Sequence, residues 1–212
     1  MPTKKKKSKG HGRGKSGIMG RSDIPYAQRI RLQQGSDIAM SREQAAKVTL
    51  YCMSVAMYEI KGVGYKRLVR YSYRYKEYEQ EFYKDVDVGM AHAKHRMEQI
   101  GMPISGEFFT DPVAGLTKRK QEIHDNSLQA IQVALTVGAI AMHDEFGYAK
   151  EVQLRISQRV TELTERYKKE GLKFLLEKMG EIGFEIVNGT VCAYTDGDGN
   201  AVTPARARRE GA

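Results

Sequence analysis

The sequence predicts a mainly α fold with two small β-hairpins, built as a tandem repeat of a helix–helix–helix–hairpin unit. Three observations lead to this prediction. Two long segments align without a gap at an offset of 85 residues, each carries apolar residues at helical spacing, and each is followed by a hairpin signal. We expect the two units to pack as a pseudo-two-fold body through their most apolar helices.

The repeat is seen when residues 41–82 are aligned with residues 126–167, because eleven of the 42 pairs are identical. The apolar pattern recurs together with the identities, which favours a duplication over chance. The predicted organisation is a disordered basic tail over 1–35, repeat unit 1 over 36–112, a linker over 113–122, repeat unit 2 over 123–196, and a flexible basic C-terminal tail over 197–212.

Each unit is predicted to begin with an N-capped, largely apolar helix. Ser41 and Asn126 are each followed three residues later by Gln, which is the spacing of an N-cap and its N3 partner. The helices "AAKVTLYCMSVAM" and "AIQVALTVGAIAM" should end at Gly62 and Gly147, since glycine readily adopts the left-handed conformation that closes a helix. The small residues Gly138, Ala139 and Ala141 should let another helix approach closely.

The next two helices of each unit are predicted from apolar stripes with spacings of three and four. The second helix carries Leu68, Tyr71, Tyr75, Tyr78 and Phe82 in unit 1 and Ile156, Val160, Leu163 and Tyr167 in unit 2. The third carries Met90, Ala93, Met97 and Ile100, matched by Leu172, Leu175, Met179 and Ile182. Hairpins should then turn at Ser105-Gly106 and at Asn188-Gly189.

Positive charge is concentrated at the N-terminus. Residues 1–35 contain ten Lys or Arg and one acidic residue, a net charge of +9, and the remaining residues sum to zero. The stretch "MPTKKKKSKGHGRGKSG" has too few apolar residues to fold and is predicted to be disordered. Such segments bind polyanions through counterion release, which favours nucleic acid over a solubilising role or an anionic protein partner. The predicted phosphate contacts are Lys4, Lys5, Lys6, Lys7, Lys9, Arg13 and Lys15.

A second basic region is the segment "GYKRLVRYSYRYKEYEQEFYKD". Arg70 and Arg74 lie four residues apart on one helical face, and both recur as Arg155 and Arg159. Aromatic residues beside cations can stack on bases while the cations neutralise phosphates. Lys66, Arg67, Arg70, Arg74, Arg155 and Arg159 are therefore candidate nucleic-acid contacts. The alternative is an ordinary solvated face with Glu77 and Glu162 as helical partners.

His143, Asp144 and Glu145 follow the apolar helix of unit 2 directly. Consecutive helical residues point in different directions, so they are poorly placed to act together as a catalytic triad. We interpret them mainly as the point where a buried helix reaches water. The open alternative is a partner contact, for which the candidates are Tyr65, Tyr73, His143 and Asp144.

The sequence predicts no catalytic residue, no metal site and no cofactor. His92 and His95 have a spacing at which two imidazoles could share zinc, but no cysteine or acidic cluster completes a tetrahedral set. The apolar run from Ala130 to Met142 is too short to span a membrane. With no secretory signal evident, we expect a cytoplasmic protein that is not an enzyme.

The stretch "VALTVGAIAMHDEFGYAKEVQLR" resembles a group of short phage and prophage proteins of Gram-positive bacteria. In that group an apolar helix precedes a segment like HDEFGFGKKRL, from which this chain departs at Ala149 and Glu151. The resemblance implies a bacterial cytoplasm during growth of a phage or mobile element, and it implies no mechanism.

Together these patterns predict a non-enzymatic, nucleic-acid-binding accessory or regulatory protein of a phage or mobile element, which binds DNA or RNA mainly through phosphates. Two alternatives stay open: a protein–protein interaction module that inhibits or adapts a host or phage complex, and a virion or assembly component. Self-association into a homo-oligomer also stays open.

Overall fold

Seven helices and four short strands form the part of the chain that the computed structural model describes, residues 26–102, 115–196 and 200–210. The elements are α1 (Tyr26–Lys61), α2 (Tyr65–Lys84), α3 (Val86–Ile100), α4 (Lys118–Phe146), α5 (Lys150–Glu170), α6 (Leu172–Ile182), β1 (Glu185–Val187), β2 (Thr190–Cys192), β3 (Tyr194–Thr195), β4 (Ala201–Val202) and α7 (Pro204–Glu210). The chain divides into two units, Met1–Ser36 and Asp37–Ala212, and every contact described below lies within the second. The fold is therefore mainly helical, as predicted.

Helix α4 is the central helix of the second unit and packs against both α2 and α3. Its ten residues classed as buried include a continuous run from Thr136 to Met142. At Gly138 the neighbours come very close, because a Cβ there would lie 2.3 Å from Met53 Cε of α1 and 2.8 Å from the Tyr71 hydroxyl of α2. The predicted close helical approach at Gly138 is confirmed.

The apolar stripes predicted for the other helices also face the core. Helix α2 buries Leu68, Tyr71, Tyr75 and Phe82, α3 buries Ala93 and Met97, α5 buries Ile156, Val160 and Leu163, and α6 buries Leu175, Met179 and Ile182. The stripe members Tyr78, Met90, Ile100, Tyr167 and Leu172 are partly buried against the same core. The apolar spacing thus correctly predicted which face of each helix packs against the core.

The predicted helix ends are confirmed and the predicted starts are wrong. Gly62 and Gly147 follow α1 and α4 with φ of 62° and 66°. Ser41 and Asn126, however, lie inside helices. Thr117 caps α4, and its side-chain oxygen accepts from the Lys120 amide at 3.4 Å. The sequence from Lys118 to Glu122 is made of strong helix formers, whose propensity extends α4 back into the predicted linker.

Several predicted boundaries therefore move. Helix α1 already begins at Tyr26, within the segment predicted to be disordered, and residues 1–25 lie outside the described residues. The hairpin predicted at Ser105-Gly106 also falls outside them. The C-terminal segment predicted to be a flexible tail contains β4 and α7 instead. Pro204 at the first helical position and the alanines and arginines after it favour that short helix.

The hairpin predicted at Asn188-Gly189 is confirmed. Strands β1 and β2 pair antiparallel, with Val187 opposite Thr190 and Glu185 opposite Cys192. Asn188 and Gly189 have φ of 50° and 75°. Two successive positive φ values are typical of the turn that matches the twist of a two-residue hairpin. A second strand pair, β3 with β4, was not predicted.

Replacing Gly138 with Ala tests the close helical approach. We expect the free energy of unfolding to fall by about 1–3 kcal/mol, because the added methyl group must displace the buried Met53 and Tyr71 side chains. Gly180→Ala in α6 is the matched control, since nothing lies within 4 Å of a Cβ at that position. That control should raise the free energy of unfolding by roughly 0.5–1 kcal/mol. Denaturant titration measures both, and equal effects would contradict the packing described.

Candidate functional site

Helix α4 ends in a turn at Gly147, directly after Phe146 and the three polar residues before it, His143, Asp144 and Glu145. The Gly147 amide donates to the His143 carbonyl at 2.7 Å, which ends the helix. His143, Asp144 and Glu145 then make contacts with different elements. The three side chains therefore do not form a triad.

Asp144 connects α4 to both α2 and α3. The Tyr78 hydroxyl donates to its Oδ2 at 2.5 Å, and Nη2 of Arg96 donates to its Oδ1 at 2.5 Å. Burial, together with the bond to the Asp144 carboxylate, raises the pKa of the Tyr78 phenol. The phenol therefore stays protonated near neutral pH and acts as a donor. We call Tyr78, Arg96 and Asp144 the acid tie.

Glu145 forms a second link between α4 and α2. Its Oε1 lies 2.6 Å from Nη2 of Arg70, with the Glu145 side chain 10% exposed and the Arg70 side chain 66% exposed. One carboxylate occupies only part of a guanidinium, which carries five N–H donors. Arg70 therefore retains donors that face solvent although it is ion-paired.

His143 contacts the turn between α4 and α5. Its Nδ1 lies 3.3 Å from the Tyr148 carbonyl, which also accepts from Gln153 Nε2 at 2.9 Å. Because a carbonyl oxygen only accepts, Nδ1 carries the proton when this bond forms. This position suits a structural role for His143 at the joint between the helices.

The equivalent end of α1 carries Glu59, which binds Arg159 of α5. The Arg159 Nε lies 2.7 Å from Glu59 Oε2, and its Nη1 lies 2.6 Å from Glu162 Oε2. The hydrogen bonds that Arg159 donates to the two carboxylates raise the pKa of its guanidinium, and the bond to Glu59 has the larger effect. Arg159 therefore links α1 to α5.

The N-terminal half of α2 exposes cations and one aromatic ring. Lys66, Arg67, Arg70, Tyr73 and Arg74 are all exposed, and we call these five residues the α2 basic face. Arg70, Tyr73 and Arg74 line a surface depression of about 420 Å³ together with Glu77 and Glu145. The depression thus combines guanidinium groups and a phenol ring with two carboxylates at its edge.

Two members of the α2 basic face have further contacts. The Arg67 guanidinium lies 4.8 Å from the centre of the Phe146 ring. Arg74 pairs with Glu77 at 3.0 Å and lies 6.0 Å from the Tyr78 ring centre. The alternative interpretation, an ion-paired helix face, therefore describes part of this surface. Arg74 pairs with a glutamate three residues on, as Arg159 does on α5.

Arg155 differs from Arg70, Arg74 and Arg159, the other three arginines of the two aligned pairs. It is exposed on α5, and it has no ion pair among the residues that the structure describes. The alignment gives the reason. Arg70 pairs with Glu145, whereas the residue of unit 1 that aligns with Glu145 is the apolar Ile60. Arg155 therefore presents its full charge to solvent.

One predicted contact residue is wrongly placed by the sequence. Tyr65 is buried, its ring packs edge-on against Phe184 at 4.8 Å, and its hydroxyl accepts from the Tyr194 amide at 2.9 Å. It cannot serve as a surface contact in this fold. Tyr73 is 47% exposed, so it is accessible to a partner, and its role as a contact stays a prediction. The candidate lysines and arginine of the N-terminal tail, Lys4 to Lys15, lie outside the described residues.

Sequence reasoning missed Arg96 and Gln153. Arg96 binds Asp144 across 48 positions of the chain, and no local pattern marks a contact at that distance. Gln153 lies on the buried face of α5 and is 1% exposed. A glutamine three residues before the apolar Ile156 was the available signal, since it continues the stripe at helical spacing.

In the described residues, His92 and His95 are not grouped with a third metal ligand. His95 Nε2 lies 3.0 Å from Gln99 Nε2, its neighbour one turn along α3. Within residues 26–102, 115–196 and 200–210, no group of three His, Cys, Asp or Glu side chains is arranged to hold a metal ion.

Comparisons with protein-family models, with curated proteins and with solved structures find no match for this chain. None of the helices in the described part of the chain is long and apolar enough to cross a bilayer.

Replacing Tyr78 with Phe removes the hydrogen bond to Asp144 and keeps the ring. We expect the free energy of unfolding to fall by about 1 kcal/mol, because the bond is partly exposed but has a charged acceptor. Tyr73→Phe, on the exposed side of the same helix, should change stability by less than about 0.5 kcal/mol. Thermal or denaturant unfolding at neutral pH compares the two. Equal stability of both variants would show that the Tyr78–Asp144 hydrogen bond contributes nothing to the free energy of unfolding.

Proposed function

We propose that the protein is a non-enzymatic, nucleic-acid-binding accessory or regulatory protein that contacts mainly phosphates. The observation that carries this proposal is the partition of charge. Residues 1–35 hold the whole net charge of +9, and the rest of the chain is neutral. A polycationic segment beside a neutral folded body is suited to non-specific attachment to a polyanion by counterion release. In the proposal, Lys4–Lys7, Lys9, Arg13 and Lys15 supply most of the affinity.

The α2 basic face supports a second, positioning contact on the body. Arg70, Tyr73 and Arg74 surround one depression, so guanidinium donors lie beside an exposed aromatic ring. Phosphate oxygens accept from guanidinium groups, and a base can stack on a phenol. The acid partners Glu145 and Glu77 reduce the net charge at this face. We therefore assign it orientation of the nucleic acid rather than the bulk of the affinity.

Among the arginines of the two aligned pairs, Arg155 is the one best placed to add affinity. Ion pairs already compensate Arg70, Arg74 and Arg159, whereas Arg155 is exposed and has no carboxylate partner within the described residues. Neutralising a phosphate costs Arg155 no existing ion pair. A phosphate that displaces Glu59 from Arg159 would instead break a contact between helices.

The proposal includes an internal duplication of the chain. The order of three helices recurs, α1 to α3 and then α4 to α6, and α1 and α4 both end one residue before a glycine at the offset of 85. Arg74 and Arg159, which align at that offset, both pair with a glutamate three residues on. We propose that the two units derive from one ancestral unit and pack with approximate two-fold symmetry.

The setting that we propose is the cytoplasm of a bacterial host during growth of a phage or mobile element. This part rests on the resemblance of the segment around His143 to phage and prophage proteins. A role in replication or regulation of that element suits a protein that binds phosphates without a catalytic centre.

Binding to labelled single-stranded DNA, double-stranded DNA and RNA at several salt concentrations tests the proposed function. We expect binding at low salt, with the logarithm of the affinity falling linearly as the logarithm of the salt concentration rises. The full chain should bind all three nucleic acids much more weakly when Lys4–Lys7 are replaced by Ser. Absence of binding to every nucleic acid at about 50 mM salt would refute the proposal.

Arg155→Ala tests the role of the unpaired arginine on the body. We expect weaker binding on every nucleic-acid sequence and a salt slope reduced by about one, as for loss of a phosphate contact. Arg166→Ala is the matched control on the same helix, because Arg166 is already engaged by Glu170 at 2.5 Å and stacks on Phe174. The assignment of Arg155 fails if the two variants change the salt slope equally.

A protein–protein interaction module is the second candidate, and one observation favours it. A groove of about 430 Å³ between α1, α4 and α5 has a mostly apolar surface, to which Val48, Ile131, Leu135 and Val160 contribute. Exposed apolar surface of this kind is common at interaction sites. Affinity purification from cells, with and without nuclease, separates the two candidates. A protein partner retained after nuclease treatment supports an inhibitor, an adaptor or an assembly component.

A further inference from the structure

A small cavity in the core lies beside a buried amide. It has a volume of about 140 Å³ and lies where α1, α4 and α5 meet the end of α3. Four methionines line it, Met53, Met97, Met102 and Met142, and most of the remaining wall is aliphatic. Gln153 is the largest polar side chain in the wall, and it is 1% exposed.

The orientation of the Gln153 amide is fixed by its neighbour. Its Nε2 donates to the Tyr148 carbonyl at 2.9 Å. Because that carbonyl oxygen can only accept, the amide cannot be turned over without losing the bond. The Oε1 atom is consequently held on the other side. It has no hydrogen-bond partner among the residues that the structure describes.

A buried acceptor without a donor is unusual in a folded protein. Nearly all buried side-chain oxygens receive a hydrogen bond, since desolvating an acceptor without compensation is costly. The methionine sulfurs around the cavity cannot compensate Oε1, because a thioether has no proton to donate. A hydroxyl donor on a molecule that enters the cavity would satisfy Oε1.

The size and the lining of the cavity indicate what kind of molecule that is. A dry apolar cavity of roughly 150 Å³ holds one benzene ring. Methionine sulfurs make favourable contacts with aromatic rings, often at the ring edge. Gln153, Thr136 and Ser157 are the polar side chains of the wall, and the other nine lining residues are apolar, so most of the space suits an apolar group.

We propose that this cavity is a binding site for a compact aromatic molecule with one hydroxyl donor, a ligand of the phenol class. The ring packs against Met53, Met97 and Met142, and the hydroxyl donates to Gln153 Oε1. The site is independent of the nucleic-acid contacts proposed above, because Gln153 is buried in the core and those contacts are on the surface.

Titration of the full chain with phenol and with benzene tests the site, with the methionine methyl signals followed by NMR. We expect saturable shifts at Met53, Met97 and Met142, and no shift at Met179 or at the exposed Met40, which do not line the cavity. Phenol should bind about tenfold more tightly than benzene, because only phenol supplies the donor that Oε1 lacks.

Two variants identify the residue that sets this preference. Gln153→Met keeps the length of the side chain and removes the acceptor, so the phenol-to-benzene ratio should fall about tenfold. Ser157→Ala, at the exposed rim of the same cavity, should leave the ratio unchanged. The ratio in the unsubstituted protein needs no variant, so it tests the site even if Gln153→Met fails to fold. Absence of phenol shifts at the three core methionines, or equal affinity for both probes, overturns the proposal.

Discussion

The close approach of α4 to α1 and α2 at Gly138 is the constraint on which the rest of the structure depends. The absence of a side chain at Gly138 leaves the space that the Met53 thioether and the Tyr71 hydroxyl fill. With α4 seated there, its acidic C-terminal end lies beside α2 and α3. Asp144 and Glu145 therefore reach Tyr78, Arg96 and Arg70 through short side-chain contacts, without any extended loop.

That placement decides which positive charges remain available. The acids at the ends of α1 and α4 compensate arginines that would otherwise form two basic ridges, and the folded body is left with local ion pairs and no net charge. Exposed ion pairs contribute little to stability individually, so their main consequence here is electrostatic. In the proposed function, affinity for a polyanion rests mainly on the N-terminal segment, with a contribution from Arg155, while the paired arginines orient what is bound. The buried Gln153 lies apart from this surface and gives the core a polar group of its own.

Much of the helical architecture could be predicted from the sequence, because apolar spacing and glycine positions act locally. The stripes of α2, α3, α5 and α6, the ends at Gly62 and Gly147 and the turn at Asn188-Gly189 all follow from such local rules. The helix starts were missed, because Ser41 and Asn126 are capping types that also occur inside helices. The ion pairs between helices were missed, because their partners lie as many as 100 residues apart. Tyr65 was misplaced, since its burial depends on Phe184 and Tyr194 from the far end of the chain.

Native-state amide hydrogen exchange along α4 tests the central role of this helix most directly. The amides from Val137 to Met142 are predicted to exchange only through global unfolding, at the slowest rate in the described part of the chain, because they lie where the surrounding helices are closest. Exchange at these amides as fast as in the short helix α7 would contradict the account. It would mean that the packing at Gly138 does not organise the fold.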